Sequence, residues 1–330
     1  NDEQMNKMGD RNYNENVSLD DTKKLIIIYG IAAGMSYLHS HNILHRDLKP
    51  YNVYLDDSLY PKISGFNIAK EMKSGKVEPN KRIKGTPVYI APEVYLNKGY
   101  SKKSDVYSFS LIMYEIFTEE QPFDEYNEFN SPFEIKQRIV NEQERPKFIK
   151  PINESYKTLI ERCWSQEPSS RPSFSEIITE LKTNPDFITD SVDKETFFEY
   201  VAYIDEFNAT FDPSRKVKQL DDILQNKLYS FPDIKPSFHF KNMYSTETNN
   251  LLVDDEYYLN INDFNGAYFI KNGSFYEVSK TVSAKTGETL VEKKSFVRSK
   301  FYKRHEIINF SKELNILLQL NHPSILKFFG

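Results

Sequence analysis

The most constraining feature of this chain is the run of eight residues at 45–52, His-Arg-Asp-Leu-Lys-Pro-Tyr-Asn. It places the carboxylate of Asp47, the cation of Lys49 and the amide of Asn52 within six residues. A carboxylate can accept or align a hydroxyl proton, and a lysine can neutralise a transferring phosphoryl group. An amide oxygen can ligate a hard metal ion. The motif therefore gathers in one short segment three groups of the kind that phosphoryl transfer uses.

Hydrophobic periodicity places the motif on a loop between a helix and a small hairpin. Asp20 is a predicted N-cap, and apolar residues follow at helical spacing as far as Leu38. Short strands are predicted at 52–55 and 62–64. Residues 65–93 are charged and lack a clear period, which predicts an exposed loop. Further helices are predicted at 104–118, 132–141, 154–164, 174–182 and 194–207. The last of these is expected either to bind a partner or to pack on the preceding lobe.

The motif at 45–52 resembles the catalytic loop of protein kinases, and other segments agree in order and spacing. The run at 85–93, Gly-Thr-Pro-Val-Tyr-Ile-Ala-Pro-Glu, resembles the end of a kinase activation segment. The resemblance implies that Asp47 orients the substrate hydroxyl, Lys49 stabilises the transferred group and Asn52 holds metal. It also implies that Arg171 pairs with Glu93. The match covers 17–183, and its details resemble the tyrosine-kinase-like group with serine or threonine as substrate.

One departure from the family pattern affects the metal site. The family has Asp-Phe-Gly after the second strand, and this chain has Gly65, Phe66 and Asn67. The missing aspartate would bridge a metal ion to the phosphates of ATP. We expect a rate loss on the order of 10²–10³ or more, by analogy with removal of one preorganised electrostatic group.

The second half resembles a kinase N-terminal lobe. Residues 270–278 resemble the glycine-rich loop, with Gly273 retained and Val278 at its end, although Asn-Gly is also an ordinary hairpin turn. Lys293 follows a strand at the position of the family's phosphate-anchoring lysine. Glu313 lies on the following predicted helix, where the ion-pair partner of that lysine belongs. The resemblance therefore assigns nucleotide binding to Gly273, Val278, Lys293 and Glu313.

The predicted fold class is α+β, a kinase-like fold with a mainly helical C-lobe followed by a small antiparallel N-lobe that carries one helix. The expected divisions are 1–16 as a polar remnant, 17–183 as the C-lobe, 184–256 as a partly helical linker and 257–330 as a truncated second N-lobe. We expect a piece of a tandem kinase-like protein. A permuted kinase, in which the two lobes combine within one chain or between chains, is a further hypothesis. It is weakened by the absence of the fifth strand and the hinge, which would leave a sheet edge exposed.

The predicted function is ATP-dependent phosphorylation of protein Ser/Thr in signalling, impaired by Gly65, with ATP and Mg²⁺ as cofactors that are weakly bound or lost. The alternative is a pseudokinase that serves as a binding or scaffolding module. If the activation segment is regulated by phosphorylation, Ser74 is the expected acceptor, and Arg46 is expected to pair with its phosphate.

Composition and charge exclude other classes. The net charge of -5 argues against general nucleic-acid binding, and the basic run at 293–304 is interpreted as a solvated face. Cys163 is the only cysteine, so the chain forms no internal disulfide. The longest uncharged apolar stretch, 25–38, is shorter than the roughly 20 residues of a membrane helix. We expect a cytoplasmic chain whose partners are ATP and protein, with no nucleic acid or membrane.

Overall fold

A computed structural model describes residues 19–72, 83–123, 132–210, 264–272, 276–283, 289–295, 313, 316–317 and 319–327. The predictions for Ser74, for Gly273, for residues 211–256 of the linker and for most of the predicted helix that carries Glu313, at 307–320, lie outside these residues. Within the described residues, no helix has the length and apolar character needed to cross a membrane.

The helical part is built around helix α1, Asp21–Ser40, which begins where predicted. The Asp20 side chain accepts a hydrogen bond from the Lys23 N–H and so caps the first turn. The sequence predicted one apolar stripe, but every residue from Leu25 to Met35 is buried. The helix is therefore covered on all sides, because helix α7, Lys194–Thr210, packs against it in addition to the core.

Two short antiparallel pairs follow α1. Strand β1, Ile43–Leu44, pairs with β4, Lys70–Glu71. Strand β2, Val53–Leu55, pairs with β3, Pro61–Ile63, close to the predicted hairpin. The catalytic-loop motif lies between β1 and β2, so both ends of the loop are fixed by strands.

Four further helices of this part lie close to their predicted positions: α3 at Lys102–Thr118, α4 at Pro132–Lys136, α5 at Glu154–Cys163 and α6 at Phe174–Thr183. The short helix α2, Pro92–Tyr95, was not predicted. Helix α4 continues as a π-helical turn, Gln137–Glu142. Helices α3 and α6 both begin with a capping box, formed by Ser101 with Ser104 and by Ser173 with Glu176.

The prediction of an exposed loop over 65–93 was wrong near both ends of the segment. Phe66 is fully buried, and residues 90–93 lie in the interior. The reason is tertiary, because the segment ends at Glu93, whose carboxylate is paired inside the protein. Charge and lack of periodicity in the sequence do not reveal such a buried pair.

The strand-rich part contains a three-stranded antiparallel sheet in the order β5-β6-β7. The strands are Phe264–Asn272, Tyr276–Ser283 and Thr289–Ser295. Strands β5 and β6 form a hairpin in which Asn272 opposes Glu277. Glu313, Ile316 and Leu317 are helical, within the predicted last helix. The described residues are thus helix-rich with small antiparallel sheets.

Candidate active site

Asp105, at the start of α3, holds the catalytic loop in place. Its carboxylate accepts hydrogen bonds from the backbone N–H groups of His45 (3.0 Å) and Arg46 (2.9 Å). His39 lies 2.9 Å from the same carboxylate, which is almost fully buried. Burial opposes ionisation of Asp105, but the hydrogen bonds from His39 and the loop hold its pKa below the usual range. Arg46 adopts a left-handed backbone with φ 67°, which this anchored loop maintains.

His45 is fully buried behind the loop. Its Nε2 lies 2.7 Å from the backbone oxygen of Ser64, and its Nδ1 accepts the Asp47 N–H at 3.3 Å. These contacts fix a neutral ring with the proton on Nε2. Burial lowers the pKa of His45, although the charges of Asp105, Asp47 and Glu313 oppose the shift. His45 therefore links the catalytic loop to the strand that precedes Gly65.

The carboxylate of Asp47 receives donors from three other residues. Thr86 donates its backbone N–H at 3.0 Å and its hydroxyl at 2.9 Å. Asn52 donates its amide at 3.1 Å, and the Lys49 ammonium lies 3.3 Å away. Lys49 also lies 2.5 Å from the Thr86 hydroxyl. The structure thus brings together Asp47, Lys49 and Asn52, and adds Thr86 as a residue that connects them.

Gly65 has no side chain, and the Asn52 side chain occupies the space where one would begin. Its backbone is left-handed, with φ +83°, and a Cβ atom there would lie 2.6 Å from Oδ1 of Asn52. Asn52 also donates its amide to the backbone oxygen of Asp47 at 2.7 Å. Phe66 keeps a packing role, with its ring 5.1 Å from that of His45.

These residues do not fit Mg²⁺. A hard divalent cation requires several oxygen ligands with negative charge. Here Asn52 supplies one neutral amide oxygen, Gly65 supplies none, and the Asp47 carboxylate already accepts from its neighbours. Among the described residues, no group of three or more His, Cys, Asp or Glu side chains could hold a metal ion.

The turn that faces Asp47 carries a second polar pair. Tyr89 follows Thr86 in the short helix Pro87–Tyr89 and donates its hydroxyl to the carboxylate of Glu115 on α3. Burial raises the pKa of Glu115 to about 7, and the hydrogen bond from Tyr89 partly opposes this shift. The sequence analysis missed Glu115 because its partner lies in a distant segment.

Arg171 and Glu93 form a buried bidentate pair, as the resemblance implied. The two guanidinium nitrogens lie 2.9 and 2.8 Å from the two carboxylate oxygens. Ser104 donates its hydroxyl to the same carboxylate at 2.9 Å. The Tyr107 ring lies 5.2 Å from the guanidinium carbon. This pair joins the end of the activation segment to the helices behind it.

Among the proposed nucleotide-binding residues of the second half, Val278 and Lys293 lie on the sheet and Glu313 on a helix. Val278 on β6 is buried and directly opposes Lys293 on β7. Glu313 is buried and helical, and its charge acts on His45 and Tyr54 in the helical part. Gly273 lies outside the described residues. The nucleotide-binding role of these residues stays a prediction.

Comparison with known proteins agrees with this arrangement. A family model described as protein kinase domain matches residues 3–181, more than half of the chain. The chain is 38% identical over 153 residues to the dual specificity protein kinase shkC of Dictyostelium discoideum, covering 46% of this chain and 30% of that protein. It is 37% identical over 173 residues to the RGS domain-containing serine/threonine-protein kinase A of the same organism, covering 52% of this chain and 14% of that protein.

A plant protein gives a similar match. The chain is 35% identical over 166 residues to the serine/threonine-protein kinase CTR1 of Arabidopsis thaliana, covering 50% of this chain and 20% of that protein. The chain thus spans less than a third of the length of these curated relatives. The family match and the catalytic-loop geometry lead to one conclusion: this chain belongs to the protein kinase family and resembles its tyrosine-kinase-like serine/threonine members.

Proposed function

We propose that the chain carries a weak protein serine/threonine phosphotransferase site that uses ATP and acts in cytoplasmic signalling. The observation that supports this most directly is the arrangement around Asp47, whose carboxylate lies 3.3 Å from the Lys49 ammonium and is oriented by Thr86 and Asn52. A substrate hydroxyl that approached Asp47 would meet an oriented acceptor beside a fixed positive charge.

Residues of this chain would have distinct roles in the transfer of the phosphoryl group. Asp47 would orient the hydroxyl and accept its proton, and Lys49 would stabilise negative charge on the transferred phosphoryl group. The turn at 86–89 would hold the peptide that carries the hydroxyl. ATP supplies the phosphoryl group when it is bound. Because residue 65 has no carboxylate, one group that would help to stabilise the negative charge on the transferred phosphoryl group is missing. The rate of phosphoryl transfer should therefore be low.

A second candidate function is a binding module without catalysis. The observation that favours it is the packing of Asn52 against Gly65, which leaves no carboxylate where the family places one. In this case the Asp47 network would stabilise the loop, and the surface around it would bind a partner protein.

Phosphate incorporation into a generic serine/threonine substrate tests the proposal. The native chain is expected to show slow incorporation, and Asp47→Ala is expected to lower it by roughly 10²-fold or more, the effect of losing a general base. Asp186→Ala, which removes a carboxylate from a distant surface turn, is the matched control and should leave the rate unchanged. Absence of incorporation in the native chain, or equal rates in native and Asp47→Ala chains, would favour the binding module.

A further inference from the structure

Three large apolar side chains that are exposed on the helical part lie around the turn at 86–89, which faces Asp47. Tyr51 is 68% exposed in the catalytic loop, and Phe133 is 74% exposed in the first turn of α4. Ile83 is 40% exposed, three residues before Thr86. A group of exposed apolar side chains with polar neighbours indicates a surface that binds another molecule. This group lies beside the residues proposed to hold the substrate.

Helix α4 and the catalytic loop each place an exposed aromatic residue beside the short helix Pro87–Tyr89. Helix α4, which carries Phe133, packs against Pro87–Tyr89. Burial and the Glu115 carboxylate raise the pKa of Tyr89, and the charge of Tyr51 raises it further. Such an electrostatic effect requires proximity, so Tyr51 lies near Tyr89. Tyr51 and Phe133 therefore border the same turn from two different elements.

The turn itself is held in place by hydrogen bonds. Tyr95 donates its hydroxyl to the backbone oxygen of Pro87 at 2.7 Å. Ser108 donates its hydroxyl to the backbone oxygen of Tyr89 at 2.8 Å. The residue before Pro87 donates its backbone N–H to Asp47 at 3.0 Å. A surface that is fixed before binding loses little conformational entropy when a ligand arrives, so this turn is suited to select among peptides.

Charge is a weaker basis for selection at this turn. Asp47 accepts hydrogen bonds from its neighbours and lies 3.3 Å from the Lys49 ammonium. Glu115 accepts the Tyr89 hydroxyl, and its pKa of about 7 means that it is only partly ionised at neutral pH. Neither carboxylate therefore attracts a basic peptide strongly. Contact with the exposed apolar side chains is the more selective interaction.

We propose that Tyr51 and Phe133 are specificity-determining residues, which select peptides that carry an aromatic or branched aliphatic side chain close in sequence to the acceptor serine or threonine. With the hydroxyl at Asp47, the neighbouring residues of an extended peptide lie over the turn, because consecutive Cα atoms are about 3.8 Å apart. An apolar side chain placed against Tyr51 and Phe133 removes a large apolar area from water. The inference rests on the proposed function, because it names the substrate class of the same site.

Fluorescence anisotropy of the full chain with two labelled peptides tests the inference without requiring catalysis. Both peptides carry one serine, which is flanked by phenylalanine and leucine in the first peptide and by glycine and asparagine in the second. The native chain should bind the first peptide about tenfold more tightly, because the first peptide buries more apolar area. Tyr51→Ser and Phe133→Ser should each remove most of this difference. Phe198→Ser, which removes an aromatic ring that is 42% exposed on α7, is the matched control and should bind both peptides as the native chain does.

Phosphate incorporation into the same two peptides gives a second measurement. The native chain should favour the first peptide about tenfold in kcat/KM, mainly through a lower KM, and Tyr51→Ser should lose this preference. Equal affinity of the native chain for the two peptides, or a preference that Tyr51→Ser and Phe133→Ser both retain, would overturn the inference, even where both peptides are phosphorylated. Preferential binding of the first peptide without phosphate incorporation would support the specificity assignment and contradict the phosphotransferase function. The two proposals can therefore fail separately.

Discussion

The Asn52 side chain lies in the space where a side chain at residue 65 would begin, since a Cβ atom on Gly65 would be 2.6 Å from its Oδ1. The same amide donates to the Asp47 carboxylate at 3.1 Å. The lack of a side chain at residue 65 and the orientation of Asn52 are therefore coupled, because Asn52 occupies the space that a side chain at 65 would need. Any change at residue 65 must move Asn52 and, through it, Asp47.

Gly65→Asp is expected to restore Mg²⁺-dependent nucleotide binding in part. The new carboxylate supplies the charge that a hard cation requires, but Asn52 must rotate away to admit it. Aspartate tolerates the left-handed backbone of residue 65 better than most residues. The measurement is the shift in melting temperature caused by ATP with and without Mg²⁺.

Gly65→Ala is the control for this change, because it adds a Cβ atom without a charge. It should lose about 1 kcal/mol of stability from backbone strain and gain no Mg²⁺ dependence. Any phosphoryl transfer gained by Gly65→Asp should disappear again with Asp47→Ala. Lack of Mg²⁺ dependence in Gly65→Asp would mean that the site differs from a working one at more than this residue.

Arg171→Ala is expected to destabilise the helical part by about 3–5 kcal/mol, because it leaves the Glu93 carboxylate charged and buried. Arg162→Ala is the matched control, since it breaks an ion pair with Glu180 at 2.8 Å on the surface. An exposed pair contributes roughly 0–1 kcal/mol. Urea unfolding gives the free energy of unfolding of both variants. Equal losses in the two variants would contradict the assigned role of the buried pair.

Glu115 should make stability fall as pH rises. Its pKa is raised from 4.5 to about 7 in the folded chain, so the fold binds this proton more tightly than the unfolded chain does. Its contribution is complete below pH 4.5 and is lost as pH rises through about 7. We expect a loss of about 1–3 kcal/mol over this interval, at about 1.4 kcal/mol per pKa unit.

Glu115→Gln should remove this pH dependence, because the amide cannot ionise. Tyr89→Phe provides the second test, since the Tyr89 hydrogen bond lowers the Glu115 pKa and its loss should move the transition to higher pH. Urea unfolding at a series of pH values compares the three chains. Parallel curves for native and Glu115→Gln chains would show that Glu115 does not titrate in this range.

His322 should make the contact of residues 321–326 with α1 and β3 weaken in acid, a contact made by backbone hydrogen bonds to Ile63 and by the Tyr37 hydroxyl. Burial, with a smaller effect from the Lys62 charge, lowers its pKa from 6.5 to about 3. Its ring is neutral in this contact, since Nδ1 accepts the Ser324 N–H at 3.0 Å. The stabilisation is therefore complete above pH 6.5 and is lost as pH falls toward 3.

The measurement is the protection factor of the Leu326 amide, which donates to the backbone oxygen of Ile63, corrected for intrinsic exchange, between pH 7 and pH 4. Protection in the native chain should fall with pH, while His322→Phe, which cannot take up a proton, should show a flatter profile. The Lys62 charge on β3 lowers the His322 pKa in addition to burial, so Lys62→Met is an informative second variant. An identical pH dependence in native and His322→Phe chains would contradict the assignment.

The sequence predicted the parts of the site that are local in the chain. Because Asp47, Lys49 and Asn52 lie on one loop, their spacing alone indicated that they would come together. The lack of a carboxylate at Gly65 was also evident from the sequence, because the family motif has aspartate at that position. The Glu93–Arg171 pair followed from the family resemblance. Secondary structure was largely predictable for the same reason, since caps and periodicity are local signals.

The contacts that sequence reasoning missed are non-local and involve backbone atoms. Asp105 holds the catalytic loop through two backbone N–H groups about 60 residues away. The segment at 321–326 is held by backbone hydrogen bonds to Ile63. Such bonds cannot be predicted from the order of side chains in the sequence. The burial of α1 on every side was also missed, because its outer face is covered by α7, a helix whose packing the sequence left open.

That covering helix sets a practical limit for preparing shorter versions of this protein. Tyr29 on α1 meets the rings of Phe197 and Tyr200 at 5.6 and 6.3 Å, and Thr22 accepts the Asp193 N–H at 2.8 Å. A chain shortened to residue 183, at the end of α6, would present the apolar outer face of α1 to water. Such a patch favours precipitation or unspecific self-association. Soluble material from the helical part alone should therefore require the residues of α7.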